Sequence, residues 1–282
     1  MRRMLWIGVT SFAASAVLFA QADAVSVHGS SPSGEADVRQ IVESSIAATQ
    51  RHWQARLRYT YVERDVSRRL AMDGRVKSED VEITRTIPVN DVPFDQLVER
   101  NGQPPSAREQ RRQNKALDAL KRETPVQRAE RLRERDDEAM SLVREVPRAF
   151  RFRLAGQEML NGRAAYVLRA TPNPDYQADG RYGKLFAKVE GTVWIDAEDL
   201  VWIKVAGQVT QQFSIGLFLV RLLPGSQVTI EQTRVDDGVW LPARIDVRAS
   251  ATVLLVKSLA IERVLTYSDY RLAEADTASV RD

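Results

Sequence analysis

FRFRLAGQEMLNGRAAYVLRA, residues 150–170, is the stretch that decides the fold. Phe150 and Phe152 alternate with arginines, a pattern that puts one face of an extended strand in a core and the other in water. The dipeptide Asn161-Gly162 accepts the positive φ angles of a tight hairpin turn, and a second strand-like run follows it. The stretch therefore predicts two antiparallel strands joined by a short turn.

The same period of two recurs over most of the chain. Residues 201–210 and 245–255 alternate between two sets of side chains, as strands of antiparallel sheets do when one face lies in water. Three more turn dipeptides occur: Asp73-Gly74, Asn101-Gly102 and Asp237-Gly238. The first precedes the strand-like run 76–87, and the last lies between the runs 228–235 and 239–250. The carboxylates of Asp196, Glu198 and Asp199 have the spacing of a turn between two strands, which we favour over a cation or acid–base site. We expect a meander of long antiparallel strands.

The N-terminal residues have the three parts of a secretory signal peptide in order. Arg2 and Arg3 precede an apolar stretch, and small residues at Ala22 and Ala24 offer a cleavage point. We expect residues 1–24 to be removed, 25–34 to form a polar linker, and 35–282 to form one domain. The apolar stretch is shorter than the roughly 20 residues that a spanning helix needs, so an uncleaved membrane anchor is the less favoured alternative.

Helices interrupt the strand pattern in two places. Apolar residues at helical spacing predict a first helix over about residues 35–56. A charged insertion at about 103–147 contains two capping-box starts, at Ser106 and Thr124, and predicts two helices ended by Pro147. With few large apolar residues, these helices are expected to be peripheral and solvated. The alternative is a basic surface for acidic lipid headgroups or for a partner.

The composition excludes several kinds of chemistry. The chain has no cysteine, which rules out disulfides, thiolate metal sites and an N-terminal lipid on cysteine. Its two histidines lie in no catalytic or metal motif, and no glycine-rich phosphate loop occurs. A net charge of +3 gives no overall field for nucleic acid. We therefore expect a non-catalytic protein without metal or cofactor and without a nucleic-acid partner.

The apolar stretch FSIGLFLVRLL, residues 213–223, has large side chains on both faces of a would-be strand. One interpretation is a strand or short helix buried on both sides, and the other is a wall of a pocket for an acyl chain. The second interpretation, with aromatic residues of the alternating strands, gives a set of candidate ligand-binding residues. They are Phe150, Phe152, Tyr166, Trp194, Phe213, Ile215, Leu217, Phe218 and Leu219.

Several phrases of the sequence resemble the outer-membrane lipoprotein-sorting family (LolA/LolB-like proteins, whose fold the RseB-type sensors share). They are GQEMLNGRAAYVL (156–168), VWID (193–196) with LVWIK (200–204), and DGVWLP (237–242). The resemblance extends to the strand around Tyr267–Tyr270.

The resemblance implies a mostly β (α+β) fold: a strongly curved antiparallel sheet, or incomplete β-barrel, with an N-terminal helix and a helical insertion. It also implies a hydrophobic interior that binds lipid acyl chains or lipoproteins in the periplasm. We expect a non-catalytic protein that binds a lipid or a lipoprotein in a hydrophobic cavity, and the resemblance implies lipoprotein sorting to the outer membrane as one such role. The alternative is an RseB-like envelope sensor that passes a signal to a membrane-embedded partner.

Overall fold

The computed structural model describes residues 35–71, 73–90, 92–177, 183–215, 220–235, 238–253 and 257–273. The predicted signal peptide (1–24) and linker (25–34) lie outside these ranges. The helices are α1 (Glu35–Ala55), followed by a 3-10 turn (Arg56–Arg58), α2 (Ala107–Lys121), α3 (Pro125–Ala149) and the short α4 (Gly183–Phe186). Among the described helices, none has both the length and the apolar character that crossing a bilayer requires.

Strands make up most of the remaining chain. They are β1 (Tyr59–Leu70), β2 (Val76–Val89), β3 (Val92–Arg100), β4 (Phe150–Leu160), β5 (Arg163–Pro172), β6 (Val189–Asp196), β7 (Trp202–Val209), β8 (Phe213–Ile215), β9 (Val220–Leu222), β10 (Gln227–Arg234), β11 (Trp240–Val253) and β12 (Lys257–Leu272). All of them pair antiparallel.

The strands form one open sheet in the order β3-β2-β1-β12-β11-β10-β7-β6-β5-β4. Strands β3 and β4 are therefore the two edges, and α2 and α3 connect them in sequence. A β8–β9 hairpin extends the sheet by pairing β9 with the end of β11. This confirms the predicted mostly β fold: an antiparallel sheet not closed into a barrel, with an N-terminal helix and inserted helices.

The predicted hairpin at residues 150–170 is present. Asn161 and Gly162 have φ angles of 51° and 79°, and β4 and β5 pair on either side of them. Because a positive φ at both central positions matches the right-handed twist of the strands, the turn fixes the register of the whole hairpin. Asp73-Gly74 likewise lies between β1 and β2.

Both predicted capping boxes are present. The side chains of Ser106 and Thr124 accept hydrogen bonds from the backbone N–H groups of Glu109 and Gln127, respectively. In return, the side chains of Glu109 and Gln127 accept from the backbone N–H groups of Ser106 and Thr124. The prediction that Pro147 ends the second helix is wrong, because α3 continues to Ala149 with Pro147 in its last turn. A proline ring near a helix end removes one backbone hydrogen bond without stopping the chain.

The main core lies between the helices and one side of the sheet, which we call the inner face. Helix α1 contributes Val38 and Val42, and the C-terminal half of α3 contributes Met140, Val143 and Val146, all buried. The expectation that the charged insertion is peripheral is therefore wrong for this half of α3. Its few apolar residues recur three apart and form a narrow stripe, which suffices to seat a helix on a core.

Candidate functional site

The inner face has an apolar floor. Its buried side chains come from β4–β7 and β10–β12 and include Phe150, Leu168, Val193, Val205, Val228, Ile245 and Leu265. Helices α1 and α3 cover this floor, and the indole of Trp202 in β7 donates a hydrogen bond of 2.6 Å to Ser45 of α1. The helices therefore act as a cover over a continuous apolar surface.

The cover is incomplete over the centre of the sheet. Ile230 of β10 and Val247 and Ala249 of β11 pack against the core but stay partly exposed. Their neighbours Val228 and Ile245 are only 2% and 8% exposed. Val247 lies directly opposite Val228, and Ile230 lies opposite Ile245, so the partly exposed side chains are neighbours on adjacent strands. We call Ile230, Val247 and Ala249 the central strip. It is an apolar surface that the helices leave partly open.

Four of the predicted ligand-binding residues lie on the inner face. Phe150 and Phe213 are buried in the main core, Phe152 packs against it, and the rings of Phe150 and Phe152 are 6.4 Å apart. Tyr166 is partly exposed and lies two residues from Leu168 of the same core, opposite Ile195. These residues therefore share one side of the sheet.

Trp194 faces the other way. Its neighbours Val193 and Ile195 belong to the inner core, so strand alternation places Trp194 on the outer face. There its indole N–H donates a 2.7 Å hydrogen bond to Glu158, and Lys204 lies 5.4 Å from the ring. Trp194 therefore cannot line an interior shared with Phe150, contrary to the prediction.

The described parts of the apolar stretch 213–223 contain two short strands. Strands β8 and β9 pair as a hairpin, with Phe213 opposite Leu222 and Ile215 opposite Val220. The expectation of a single element with two apolar faces is therefore wrong, since a hairpin returns both halves to the same sheet. The predicted residues Leu217, Phe218 and Leu219 lie outside the described residues, and for Ile215 only the backbone pairing is described.

Beyond the central strip, the inner face becomes polar. Arg263 of β12 is directly opposite Val247, and its Nε and Nη2 donate to the Asp65 carboxylate of β1 at 2.9 and 2.5 Å. Arg263 is only 6% exposed, and its Nη1 has no hydrogen-bond partner among the described residues. We call Glu63, Asp65, Arg263 and Tyr267 the polar end of the inner face.

Burial shifts the ionisation of this polar end. Burial is the largest influence on Glu63 and raises its pKa to about 6, although the hydrogen bond from Tyr267 opposes the shift. Burial, with the nearby Glu63 carboxylate, raises the pKa of the Tyr267 hydroxyl. The rings of Tyr61 and Tyr267 meet edge to face at 5.8 Å. The polar end is therefore a largely dehydrated group of two acids, one phenol and one arginine.

A groove of about 310 Å³ separates α1 from α3. Its lining includes Trp53, Asp136 and Met140. The Trp53 indole donates a 2.9 Å hydrogen bond to Asp136, and the Arg56 guanidinium lies 3.1 Å from the centroid of the Trp53 ring. Burial, with the neighbouring Arg135 next in size, lowers the pKa of Arg56 to about 10. The groove therefore lies between the two helices of the cover, and its lining is largely polar and charged.

Sequence patterns did not identify the polar end. Tyr61, Glu63 and Asp65 alternate with Val62 and Arg64, so both faces of β1 carry charge. Only the strand pairing shows which set faces inward. Alternation in β12, where Arg263 lies between Ile261 and Leu265, was the available signal, because it places a charge in an apolar row.

The acidic turn at Asp196–Asp199 is structural, as predicted. Asp196 is fully buried and accepts from Arg163 and from the backbone N–H groups of Glu198 and Asp199. His52 Nδ1 accepts a 3.2 Å hydrogen bond from the backbone of Trp240, and burial lowers its pKa. Within the described ranges, no group of three or more His, Asp or Glu side chains could hold a metal ion.

Comparisons with known proteins give likenesses only at the level of solved structures. No family model and no curated protein matches the sequence. A domain from Vibrio parahaemolyticus assigned to outer-membrane lipoprotein sorting is 11% identical, with 86% of this chain and 95% of that chain covered and a TM-score of 0.26. A LolA superfamily protein from Nitrosomonas europaea is 13% identical, with 83% and 94% covered and a TM-score of 0.27.

A DUF1329 family protein from Desulfovibrio piger is 12% identical, with 86% of this chain and 95% of that chain covered and a TM-score of 0.24. At these identities and TM-scores, the likenesses carry no argument about what the chain binds. What the chain binds is inferred below from the chemistry of the inner face alone.

Proposed function

We propose that this protein binds a lipid or a lipidated polypeptide without chemical change, holding acyl chains between the inner face of the sheet and helices α1 and α3. The observation that carries the proposal is the central strip. Ile230, Val247 and Ala249 lie in the middle of the sheet, where apolar side chains are normally fully covered, and yet they stay partly exposed.

The physical reason is the cost of wetted apolar surface. Covering apolar surface stabilises a complex by roughly 25 cal/mol per Å², so an acyl chain on the strip gains from each methylene that it buries. The strip continues into the core cluster around Phe213 and Leu222. A bound chain would therefore meet apolar side chains on several sides and not a flat patch.

The polar end favours an amphiphile over a plain hydrocarbon. Arg263 lies directly opposite Val247, so the apolar strip and the polar group are adjacent on neighbouring strands. The unpartnered Nη1 of Arg263 is a hydrogen-bond donor for an oxygen atom of a headgroup or peptide. A molecule with an acyl chain and a polar head would place its chain on the central strip and its head at the polar end.

The sequence narrows the proposal further. A signal peptide at residues 1–24 would place the protein in the periplasm, and the family resemblance favours lipoprotein sorting to the outer membrane. The RseB-like alternative uses the same interior but passes the signal to a membrane-embedded partner. Stoichiometric lipid in the natively purified protein supports a carrier, whereas capture of that partner by the ligand-loaded protein alone supports a sensor.

The experiment that tests the proposal is binding of a fluorescent fatty-acid or lipopeptide probe to the parent and to Ile230→Asp. An unpaired carboxylate on the strip should weaken binding at least about tenfold, because burying it costs several kcal/mol. Val76→Asp is the matched control, since Val76 is 54% exposed at the start of β2. Circular dichroism confirms that each variant is folded.

Two results would contradict the proposal. One is a folded Ile230→Asp variant that binds the probe as tightly as the parent. The other is native protein whose organic extract, analysed by mass spectrometry, contains no lipid and which also fails to bind either probe. If Ile230→Asp does not fold, Ile230→Asn and Ala249→Asn repeat the measurement with a smaller perturbation.

A further inference from the structure

Helix α2 has one strongly basic face. Arg108, Arg111, Arg112 and Lys115 recur at helical spacing, and Arg122, at the helix C-cap, follows seven residues later. All five side chains are exposed, and none has an ion pair with another described residue. We call them the basic face. Asp118 borders it and leaves a local net charge of +4 from these six residues.

The orientation of this helix is fixed by contacts on its other side. Gln113 accepts from the backbone N–H of Leu97 at 2.6 Å and donates to its carbonyl at 3.3 Å, so it pairs with the free edge of β3. Leu117 and Leu120 pack in a small core with Val89 and Val92. Because these contacts hold the opposite side of α2, the basic face points to solvent.

The basic face is a local feature and not the result of overall charge. The whole chain has a net charge of only +3. In α3 the exposed arginines pair with carboxylates, as Arg131 does with Glu123 and Arg133 with Glu130. Leaving five neighbouring cations unpaired costs little in water but gives a strong field close to the surface.

We infer that the basic face docks the protein on an anionic lipid surface. Lys and Arg side chains near such a surface each contribute about 1 kcal/mol, which corresponds to about a fivefold gain in partitioning. Val126, at the corner where the chain passes from α2 into α3, is 78% exposed. A bilayer offers an apolar layer below its charges, which suits an exposed valine beside cations better than an acidic protein does.

The test is co-sedimentation of the purified protein with vesicles of equimolar phosphatidylglycerol and phosphatidylcholine. The parent should partition onto these vesicles, release as salt is added, and stay in solution with phosphatidylcholine alone. The charge-reversed double variant Arg111→Glu, Arg112→Glu should lose at least about 25-fold in partitioning. Val126→Ser should lose a few-fold, because less apolar surface enters the interface.

The matched control is Arg64→Glu, Arg85→Glu. These arginines are exposed on β1 and β2, and neither has an ion pair with another described residue. Because the control also replaces two arginines by glutamates, it changes the net charge by the same amount as the double variant. The control should partition as the parent does. Ile230→Asp, altered only in the interior, should also do so, which separates this inference from the proposed lipid-binding function.

The inference is overturned if the double variant partitions as the parent does, or if the control loses as much as the double variant. It is also overturned if the parent fails to bind anionic vesicles at low salt. Full partitioning by Val126→Ser would overturn the lipid assignment in favour of a purely ionic partner. Circular dichroism on every variant shows that changes in partitioning do not come from unfolding.

Discussion

Trp202 and Ser45 form a buried hydrogen bond between the floor of the sheet and its helical cover, with 2.6 Å from the indole nitrogen to the hydroxyl oxygen. Trp202 is 4% exposed and Ser45 is fully buried, and the two are 157 residues apart in sequence. Ser45 in turn donates to the carbonyl of Val42 within α1. The pair fixes the rotation and the height of α1 over the inner face.

Removing the hydroxyl should destabilise the fold. In Ser45→Ala the indole N–H of Trp202 loses its partner in a place without water, which costs about 1–3 kcal/mol. Ser44→Ala is the control, because Ser44 is partly exposed on the same helix and gains helix propensity from the change. Urea unfolding followed by circular dichroism measures both. Equal stability of the two variants would show that the bond does not anchor α1.

Two valines of α3, Val126 and Val146, should respond very differently to truncation. Val146 is fully buried in the main core, whereas Val126 is 78% exposed. Val146→Ala should lower the free energy of unfolding by about 2 kcal/mol, because it leaves a cavity, and Val126→Ala should change it by less than about 0.5 kcal/mol. Thermal or urea unfolding makes the comparison. Similar small effects at both positions would restore the view that α3 is peripheral.

The Arg163–Asp196 pair should make stability depend on pH. Burial raises the pKa of Asp196, but the hydrogen bonds from Arg163 and from the backbone N–H groups of Asp199 and Glu198 together outweigh it and leave the pKa below its ordinary value. A lowered pKa in the folded state means that the stabilisation is present at neutral pH and is lost as pH falls through the folded pKa.

Asp196→Asn should therefore cost about 2–4 kcal/mol at neutral pH and progressively less below about pH 4. Asp246→Asn is the control, because Asp246 pairs with Arg244 near the surface, where such pairs contribute about 0–1 kcal/mol. Unfolding by urea at neutral and acidic pH measures both variants. A loss for Asp196→Asn that does not change with pH would show that its charge is not the cause.

The strands and turns could be predicted from the sequence because their causes are local. The alternation around Phe150 depends only on one face of the strand being buried and the other exposed. The turn at Asn161-Gly162 depends only on the positive φ angles of these two residues. Capping boxes at Ser106 and Thr124 involve side chains three residues apart. Each of these features is stabilised within a few residues, so a short window of sequence contains the whole reason for it.

The candidate site depends on pairing between distant strands, which no local window contains. Trp194 looked like Phe150 in the sequence, but the packing of its neighbours Val193 and Ile195 in the inner core shows that it lies on the outer face. Arg263 pairs with Asp65, which is 198 residues away in sequence. Because both faces of β1 carry charged side chains, the sequence does not show which face of β1 points inward. The burial of Val146 was missed for the same reason, because a charged helix shows a core contact only through its partners.

The last prediction concerns Glu63, whose buried carboxyl should oppose folding at neutral pH. Its pKa is raised to about 6 in the folded state from an ordinary value of 4.5. For a raised pKa, the folded state holds the proton more tightly, so stability falls as pH rises from about 4.5 through 6 and stays lower above that. A shift of this size corresponds to about 2 kcal/mol.

Glu63→Gln keeps the shape and an acceptor for the Tyr267 hydroxyl but removes the charge. It should be more stable than the parent by about 1–2 kcal/mol at pH 7.5 and nearly equal to it at pH 4, where Glu63 is protonated in both states. Glu43→Gln is the control on the exposed side of α1 and should change little at either pH. Urea unfolding at the two pH values measures all three proteins. A variant less stable than the parent at pH 7.5 would mean that the negative charge of Glu63 is held by Arg263 and stabilises the fold, contrary to the prediction.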